Sequence, residues 1–222
     1  MDKQTLALFF LVTVATGGVA WVFIYPSLSG EKKAAPTSYR SIVGEEAVQL
    51  HAQAMRGRPW TPEQRRAVQR YTGDSYREIN GFLRTGRGDA AARADAESVR
   101  AAMREIPENI MVFRAVSATG FGYPNKQAIP ASALPGLVGR TWSDPGFTST
   151  SINPEPYDYN AKVRMRISVP KGTRGIYVDT ISENQDEEEM LLDAGTKFRI
   201  DRVEQDERGI TTMHMTVVNE NA

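Results

Sequence analysis

The sequence predicts an α+β domain in which helices precede a largely antiparallel sheet. After an apolar segment and a linker, the first half of the chain has helical composition and helix-start signals, whereas short β-type runs separated by turns follow Pro107. This order favours helices packed on one side or end of the sheet over a doubly wound α/β fold. No GxGxxG motif opens a helix after a strand, so the sequence does not predict a Rossmann cofactor site.

The composition limits the chemistry that we expect. The 222 residues include 27 Lys and Arg against 27 Asp and Glu, so the overall charge gives no reason to expect a nucleic-acid partner. The chain has no cysteine and only two histidines, His51 and His214, which are far apart. A cysteine-based zinc site is therefore excluded, and a histidine metal site or a Ser-His-Asp triad is hard to build. We expect chemistry by carboxylates, hydroxyls and arginines, without a metal.

The first 26 residues predict a membrane-directed segment. Leu6–Ile24 is almost wholly apolar and has about the 20 residues that a helix needs to cross a bilayer. Leu6–Val14 could equally be the apolar core of a secretory signal, with a small-x-small cleavage pattern at Gly18-Val19-Ala20. We expect either a retained single-pass membrane anchor or a signal that is cleaved before secretion, and a buried helix is the third interpretation.

Four helical stretches are predicted at the start of the folded domain, residues 39–222, which follows a polar linker at residues 27–38. Thr61-Pro62-Glu63-Gln64 combines a capping threonine, a proline at the first helical position and a glutamine three residues after the cap, a pattern that begins a helix. This helix is expected to end near Tyr71. The other predictions are a break and new cap at Gly73-Asp74-Ser75 before a helix over Tyr76–Leu83, and helical compositions over Ser41–Met55 and Asp89–Met103.

Seven strands are predicted in the second half of the chain. They are short runs rich in β-branched and other apolar residues, bounded by turn residues. The predicted strands are Ile110–Val116, Gly146–Ser151, Val163–Val169, Gly175–Val178, Glu188–Leu192, Lys197–Val203 and Thr211–Val218.

An acidic run, residues 186–189, leads directly into one of these strands. Alone, such a run is usually a solvated loop. On a strand, however, Glu187 and Glu189 point to one face and Glu188 to the other, with the Cα atoms of the first two about 7 Å apart. Two carboxylates on one face suit a reaction in which one stabilises a cation while the other handles the incoming nucleophile.

Hydroxyl and arginine side chains mark three further strands. Ser149 and Ser151 share a face of a hydroxyl-rich strand, which is also typical of a polar edge strand. Arg114 interrupts an apolar strand, where a buried arginine needs either a structural salt bridge or an anion such as phosphate. Arg166 alternates with apolar residues and so faces away from the core, either to solvent or into a cleft.

Together these elements resemble the arginine-serine-glutamate class of bacterial ADP-ribosyltransferase toxins, especially the catalytic component of binary actin-modifying toxins such as iota toxin. The resemblance covers Ser41–Val218 and implies an ADP-ribosyltransferase-like fold, with antiparallel sheets that form a cleft, helices before them and a hydrophobic amino-terminal helix. Its motifs, in family order, are Tyr71-Thr72-Gly73-Asp74-Ser75-Tyr76 with Ile79-Asn80, Arg114, Gly146-Phe147 before Ser149-Thr150-Ser151, Arg166 before Val169-Pro170-Lys171-Gly172, and Glu187-Glu188-Glu189 before Leu191-Leu192, Gly195-Thr196 and Phe198.

The resemblance implies that residues 39–222 are a catalytic domain that cleaves the nicotinamide–ribose bond of NAD⁺ and transfers ADP-ribose to a protein arginine. It assigns Glu189 to the 2′-hydroxyl of the ribose and Ser149 to the positioning of Glu189 and of that ribose. Glu187 is assigned to the acceptor, because the family couples Glu-x-Glu to arginine acceptors.

By the same resemblance, Arg114 binds the pyrophosphate or the adjacent ribose, Arg166 is a second phosphate contact, and Phe147 belongs to the NAD-binding motif. We expect residues 178–186 to form a mobile loop that meets the acceptor, with Tyr177 as a further candidate. Two other functions stay open at this point. The same pocket could serve an NAD glycohydrolase, and the fold could serve a catalytically silent, membrane-tethered binding module.

Overall fold

The structure is a computed structural model, and it describes residues 38–155, 161–182 and 187–218. The membrane-directed segment predicted at residues 1–26 lies outside these residues, as does all but the last residue of the predicted linker. In the described ranges, no helix is both long enough and apolar enough to cross a membrane.

The four predicted helices are present among the described residues: α1 (Gly44–Ala54), α2 (Pro62–Arg70), α3 (Tyr76–Thr85) and α4 (Ala90–Ala102). The start of α2 confirms the predicted capping pattern. The Thr61 hydroxyl accepts a hydrogen bond from the amide of Gln64, and the Gln64 side chain accepts one from the amide of Thr61, at 3.2 and 3.1 Å. These bonds satisfy two amides that a helix start leaves without partners.

The connection between α2 and α3 has the predicted break but not the predicted cap. A π-helical turn over Tyr71–Ser75 joins the two helices, and within it Gly73 leaves helical geometry with φ −91° and ψ −133°. Ser75 is itself helical, with φ −76° and ψ −4°, and makes no capping hydrogen bond within the described residues. The predicted cap at Ser75 was wrong because a capping side chain needs an extended backbone, whereas Ser75 is already helical.

The described strands form a nine-stranded sheet in the order β1-β6-β7-β4-β2-β5-β9-β8-β3. All seven predicted strands occur in it, with ends that shift by up to two residues. The strands β1 and β3 were not predicted, because they are two and three residues long and show no apolar alternation. The bounds are β1 Arg104–Glu105, β2 Ile110–Val116, β3 Thr141–Ser143, β4 Thr148–Ser151, β5 Val163–Val169, β6 Arg174–Tyr177, β7 Glu189–Leu192, β8 Lys197–Gln205 and β9 Thr211–Val217.

The α+β class and the mostly antiparallel pairing are confirmed, but two features of the sheet differ from the expectation. The described strands form one sheet and not several, and β5 pairs with β9 in parallel. A parallel pair needs a long crossover connection, and here β6, β7 and β8 lie between the two strands in the chain.

The described residues form two hydrophobic clusters. The first lies where α1 meets the long central strands, on which Val163, Met165 and Ile167 are at most 1% exposed, as their alternation predicts. The second joins α2, α3 and α4 to β6 and β7 and includes Phe147. The helices therefore cover one end of the sheet, and Phe147 sits where they meet the start of β4.

Candidate active site

A cavity of about 470 Å³ opens between the α2–α3 region and the strands β2, β4 and β7. Its lining includes five residues singled out from the sequence: Arg114, Phe147, Ser149, Glu187 and Glu189. A neighbouring cavity of about 220 Å³ is lined by four of the same residues and also by Phe113. We refer to the two together as the cleft. Its size falls within the roughly 300–1,000 Å³ that small-molecule sites span.

Glu189, the first residue of β7, is the buried carboxylate of the cleft. Its residue surface is 6% exposed. The pKa of Glu189 is raised to about 7, chiefly by burial and less by the neighbouring charges of Glu187 and Asp179, whereas the Ser149 hydroxyl and the Arg114 guanidinium oppose the shift. Near neutral pH this carboxyl group is therefore divided between its neutral and charged forms.

The chain turns sharply just before β7. Glu188 has φ 49°, a left-handed conformation that is uncommon for a residue with a side chain. The turn is held by hydrogen bonds on both sides: the amide of Glu188 donates to Asp179 Oδ1, and its carbonyl accepts from the amide of Ile152, both at 3.0 Å. Glu187 and Glu189 both line the cleft, whereas Glu188 does not. Glu188 is thus separated from Glu187 and Glu189, as predicted. Because Glu187 precedes β7, however, this separation is caused by the turn at Glu188 and not by the alternation of side chains along a strand.

Arg114 lies on β2 with its guanidinium largely surrounded by protein. Its Nη1 donates to the carbonyl of Ser149 at 2.6 Å, and its buried Nε has no hydrogen-bond partner. Burial lowers the pKa of Arg114, and the guanidinium forms no ion pair within the described residues. The structural salt bridge considered for Arg114 is thus not found there. A buried cation with an unsatisfied donor is suited to an anion such as phosphate.

Asn80 on α3 connects the helices to the strand side of the cleft. Its Oδ1 accepts a hydrogen bond from the amide of Phe147 at 2.9 Å, and its Nδ2 donates to the Tyr71 hydroxyl at 3.0 Å. The rings of Tyr71 and Phe147 pack edge to face with centroids 5.4 Å apart. Sequence reasoning gave Tyr71 and Asn80 no role, although both lie in the motifs that carried the resemblance.

A second link between these layers is the pair of Arg84 and Asp144. The guanidinium donates to both carboxylate oxygens, at 2.8 and 2.6 Å, and Asp144 Oδ1 also accepts from the amide of Gly146 at 2.8 Å. This pair fixes the backbone just before Phe147. The sequence analysis did not identify it, because neither residue stands in a distinctive pattern.

Arg166 is not among the residues that line the cleft. It lies on β5 opposite Phe113 of β2, and its guanidinium stacks over the Phe113 ring at 5.4 Å from the centroid. Phe113 itself lines the cleft. The structure thus brings together five of the six predicted site residues, and the phosphate contact assigned to Arg166 stays a prediction.

Comparisons with known proteins identify the family and the fold. Residues 31–221 match the family described as ADP-ribosyltransferase exoenzyme. A curated relative, the putative NAD(+)–arginine ADP-ribosyltransferase Mav of Mycobacterium avium (strain 104), is 28% identical over 138 residues, which are 60% of this chain and 15% of the relative. The matched region is thus a small part of that relative's length.

Two solved structures are similar to the fold. Plx2a, an ADP-ribosyltransferase toxin from Paenibacillus larvae, superposes with a TM-score of 0.69 at 22% identity, over 79% of this chain and 96% of that one. C3stau2 from S. aureus, solved with NAD, superposes with a TM-score of 0.68 at 17% identity, over 84% of this chain and all of that one. Since the family match spans nearly all of the chain beyond its first thirty residues, the chain belongs to the ADP-ribosyltransferase exoenzyme family.

Proposed function

We propose that the chain is an NAD⁺-dependent mono-ADP-ribosyltransferase that transfers ADP-ribose to an arginine of a protein acceptor. The observation that carries the proposal is the cleft, in which the buried carboxylate Glu189 lies with the cation Arg114 and a second, exposed carboxylate, Glu187. The arginine specificity in the name of the Mycobacterium avium relative supports the choice of acceptor.

In this proposal the strand side of the cleft binds NAD⁺. The unsatisfied Nε of Arg114 donates to the pyrophosphate or the adjacent ribose, because a planar guanidinium matches phosphate oxygens with parallel donors. Phe147 forms the apolar wall beneath, fixed by Asn80. Arg166 is the second proposed phosphate contact, and reaching the cleft would require it to leave its position over Phe113.

Glu189 acts on the bond that breaks. Its carboxylate accepts a hydrogen bond from the 2′-hydroxyl of the ribose and faces the positive charge that develops there as nicotinamide leaves with the bonding electron pair. At about 4 Å and an effective dielectric of about 20, a full charge pair attracts by about 4 kcal/mol. If this attraction acts in the transition state and not in the ground state, it increases the rate of bond cleavage by about a thousandfold.

Glu187 handles the acceptor. A free guanidinium has a pKa above about 12, so a carboxylate cannot deprotonate it in advance. Glu187 instead orients the acceptor through paired charge-assisted hydrogen bonds and takes its proton as the new bond between nitrogen and the ribose carbon forms. The exposure of Glu187 leaves it accessible to a protein surface.

Incubation of the purified protein with labelled NAD⁺ and a cell lysate tests this function. The wild type should label acceptor proteins. Glu189→Ala should lose transfer by about a thousandfold, and Glu187→Ala should lose transfer but keep some release of nicotinamide. Glu63→Ala, at an exposed carboxylate on α2, is the matched control and should behave as the wild type. Retained transfer in Glu189→Ala, or absence of both NAD⁺ binding and turnover in the wild type, contradicts the proposal.

We also propose that residues 1–26 direct the chain to a membrane, either as a retained anchor or as a signal cleaved before secretion. The support is the sequence, in which no charged residue occurs from Gln4 to Gly30. Fractionation of cells that express the full chain or a chain that starts at Ser38, with mass spectrometry of the mature amino terminus, distinguishes the two. A full chain that stays uncleaved and distributes between membrane, soluble and extracellular fractions as the shortened chain does would contradict both.

A further inference from the structure

A third cavity, of about 330 Å³, lies between the start of α1 and the ends of β6 and β7. It is lined by Gly44, Val48, Tyr177, Asp179, Thr180 and Glu188, and none of these described residues lines the cleft. We refer to it as the acidic cavity. Its volume is at the lower end of the roughly 300–1,000 Å³ that ligand sites span, which suits a single side chain better than a dinucleotide.

Two carboxylates give the acidic cavity its charge. Neither Asp179 nor Glu188 forms an ion pair within residues 38–155, 161–182 and 187–218. Asp179 uses Oδ1 to accept from the amide of Glu188. Glu188 Oε1 lies 3.4 Å from the position that a Cβ atom would take at Gly44, the first residue of α1. Glu188 is therefore an anion beside the positive, amino-terminal end of α1. A positively charged ligand would complement the two carboxylates of the acidic cavity.

Tyr177 is a second and independent sign of a ligand. Its residue surface is 3% exposed, its hydroxyl makes no hydrogen bond within the described residues, and its side chain lines the acidic cavity. The hydroxyl is 3.8 Å from the position that a Cβ atom would take at Gly44, so it points into this space. Burial, with the charges of Asp179 and Glu188, raises the pKa of Tyr177 to about 12. The hydroxyl is therefore neutral, and from the wall of the cavity it can exchange a hydrogen bond with a ligand.

We propose that the acidic cavity binds a second basic side chain of the acceptor, a lysine or arginine near the arginine that is modified. This inference rests on the proposed function. The cationic head meets Asp179 and Glu188 and donates to the Tyr177 hydroxyl, while its aliphatic stem packs on Val48, which is 41% exposed. The enzyme would then select acceptors that carry a pair of basic residues.

The acidic cavity and the cleft share one turn of the chain, which supports this pairing. Glu188 lies between Glu187 and Glu189 in the chain, and Cα atoms of neighbouring residues are only about 3.8 Å apart. The left-handed turn at Glu188 sends its side chain to the acidic cavity while Glu187 lines the cleft. An acceptor that occupies both must therefore extend around this turn, from the α1 face of β7 to the face that carries the residue proposed to orient its reactive guanidinium.

Transfer to defined acceptors by the full chain tests the inference. One set of peptides carries a single arginine with a lysine at each nearby position in turn, a matched set has norleucine in place of the lysine, and an alkylguanidine without a second charge serves as a minimal acceptor. At its best position the lysine should lower KM with the wild type. Glu188→Gln and Asp179→Asn should remove about tenfold of that preference, the change that loss of about 1.4 kcal/mol of binding produces. Glu188→Gln should leave alkylguanidine transfer unchanged.

Glu45→Gln is the matched control, because Glu45 is an exposed carboxylate on α1 that does not line the acidic cavity, and it should keep the preference. Both test variants nearly keep the shape of the original side chain, and the side-chain oxygen left by Asp179→Asn can still accept from the amide of Glu188. A wild type that modifies alkylguanidine but shows no preference for lysine at any position overturns this inference alone. A wild type that modifies neither the alkylguanidine nor any peptide overturns the proposed function and the inference with it.

Discussion

The burial of Glu189 is part of the proposed active site, but it lowers the stability of the folded protein when the carboxyl group is charged. In the proposed mechanism the carboxylate must be charged to support a developing cation, yet its surroundings raise the pKa of Glu189 to about 7, chiefly because the charged form is poorly solvated there. Arg114 and Ser149 offset only part of this cost. Sites of this kind, with a strongly shifted pKa in a cleft, are typical of catalytic carboxyl groups.

The first prediction concerns the pH dependence of NAD⁺ cleavage. Since the proposed mechanism requires the charged form of Glu189, kcat/KM for NAD⁺ should fall as pH decreases through about 7 and reach a plateau above it. Nicotinamide release measured between pH 5 and pH 9 in one buffer system, at about constant ionic strength, provides the profile. A profile that is flat from pH 5 upwards would mean that an ordinary, solvated carboxylate carries the reaction.

The second prediction concerns stability at the same residue. A carboxyl group whose pKa is higher in the folded than in the unfolded state binds more protons when folded, so its contribution to stability declines as pH rises between the two pKa values, from about 4.5 to about 7. Glu189→Gln, which mimics the neutral form, should therefore unfold at nearly the same denaturant concentration as the wild type near pH 4.5. Above pH 7 the variant should be more stable, by up to about 3 kcal/mol. Equal stability of the two proteins at both pH values would contradict the assigned pKa.

At the scale of elements, the connection between α3 and β4 shows how closely the helices and the sheet are matched. A Cβ atom at Gly146 would lie 2.7 Å from Asn80 Oδ1, which is closer than real contacts allow. Asn80 cannot simply move away, because it holds both the amide of Phe147 and the Tyr71 hydroxyl. Gly146 is thus required by the close approach of α3.

The third prediction follows from this contact. Gly146→Ala should destabilise the protein by about 1–3 kcal/mol, the usual cost of overpacking, and should lower NAD⁺ turnover because Phe147 and Asn80 both line the cleft. Gly81→Ala is the control on the same helix. No described atom lies within 4 Å of its added Cβ, so it should be neutral or stabilise the helix by about 0.5–1 kcal/mol. Chemical denaturation and nicotinamide release measure both effects, and identical midpoints for the two variants would contradict the argument.

Elements with a local signal could be predicted from the sequence, and those that depend on distant partners could not. The capping residues of α2 and the alternation along β5 are local, and both were predicted correctly. The strand β3 forms only because Thr141–Ser143 pairs with β8, more than fifty residues later, and its own burial pattern is not distinctive. The helical conformation of Ser75 likewise depends on how α2 continues into α3.

The candidate site divides in the same way. Arg114, Ser149 and Glu189 lie on strands that were predicted from the sequence, so these residues could be selected as candidates from the sequence alone. The roles of Asn80 and of the pair between Arg84 and Asp144 arise from contacts across more than fifty residues, and no spacing in the sequence indicates them. The exclusion of Arg166 from the cleft follows from its stacking on Phe113, a contact between two strands whose pairing was not predicted.

At the scale of the whole molecule, the parallel pairing of β5 with β9 places β9 inside the sheet, third from the β3 edge. Its residues Met213, Met215 and Val217 are at most 3% exposed and belong to the first hydrophobic cluster. The last strand in the chain is therefore structural support for β5 and, through it, for Arg114 on β2. Long-range pairing of this kind also predicts folding slower than that of a helical bundle.

The fourth prediction is that a chain starting at Ser38 keeps the enzymatic activity of the full protein. All described residues that line the cleft fall between Tyr71 and Glu189, and Ser38–Ala222 separates from the preceding residues as a unit of its own by its internal contacts. Both hydrophobic clusters draw on residues from Ile42 onwards. The shortened chain should therefore unfold in one cooperative transition and release nicotinamide at the rate of the full chain in the same detergent. A loss of turnover with folding intact would show that the first 37 residues contribute to the reaction itself.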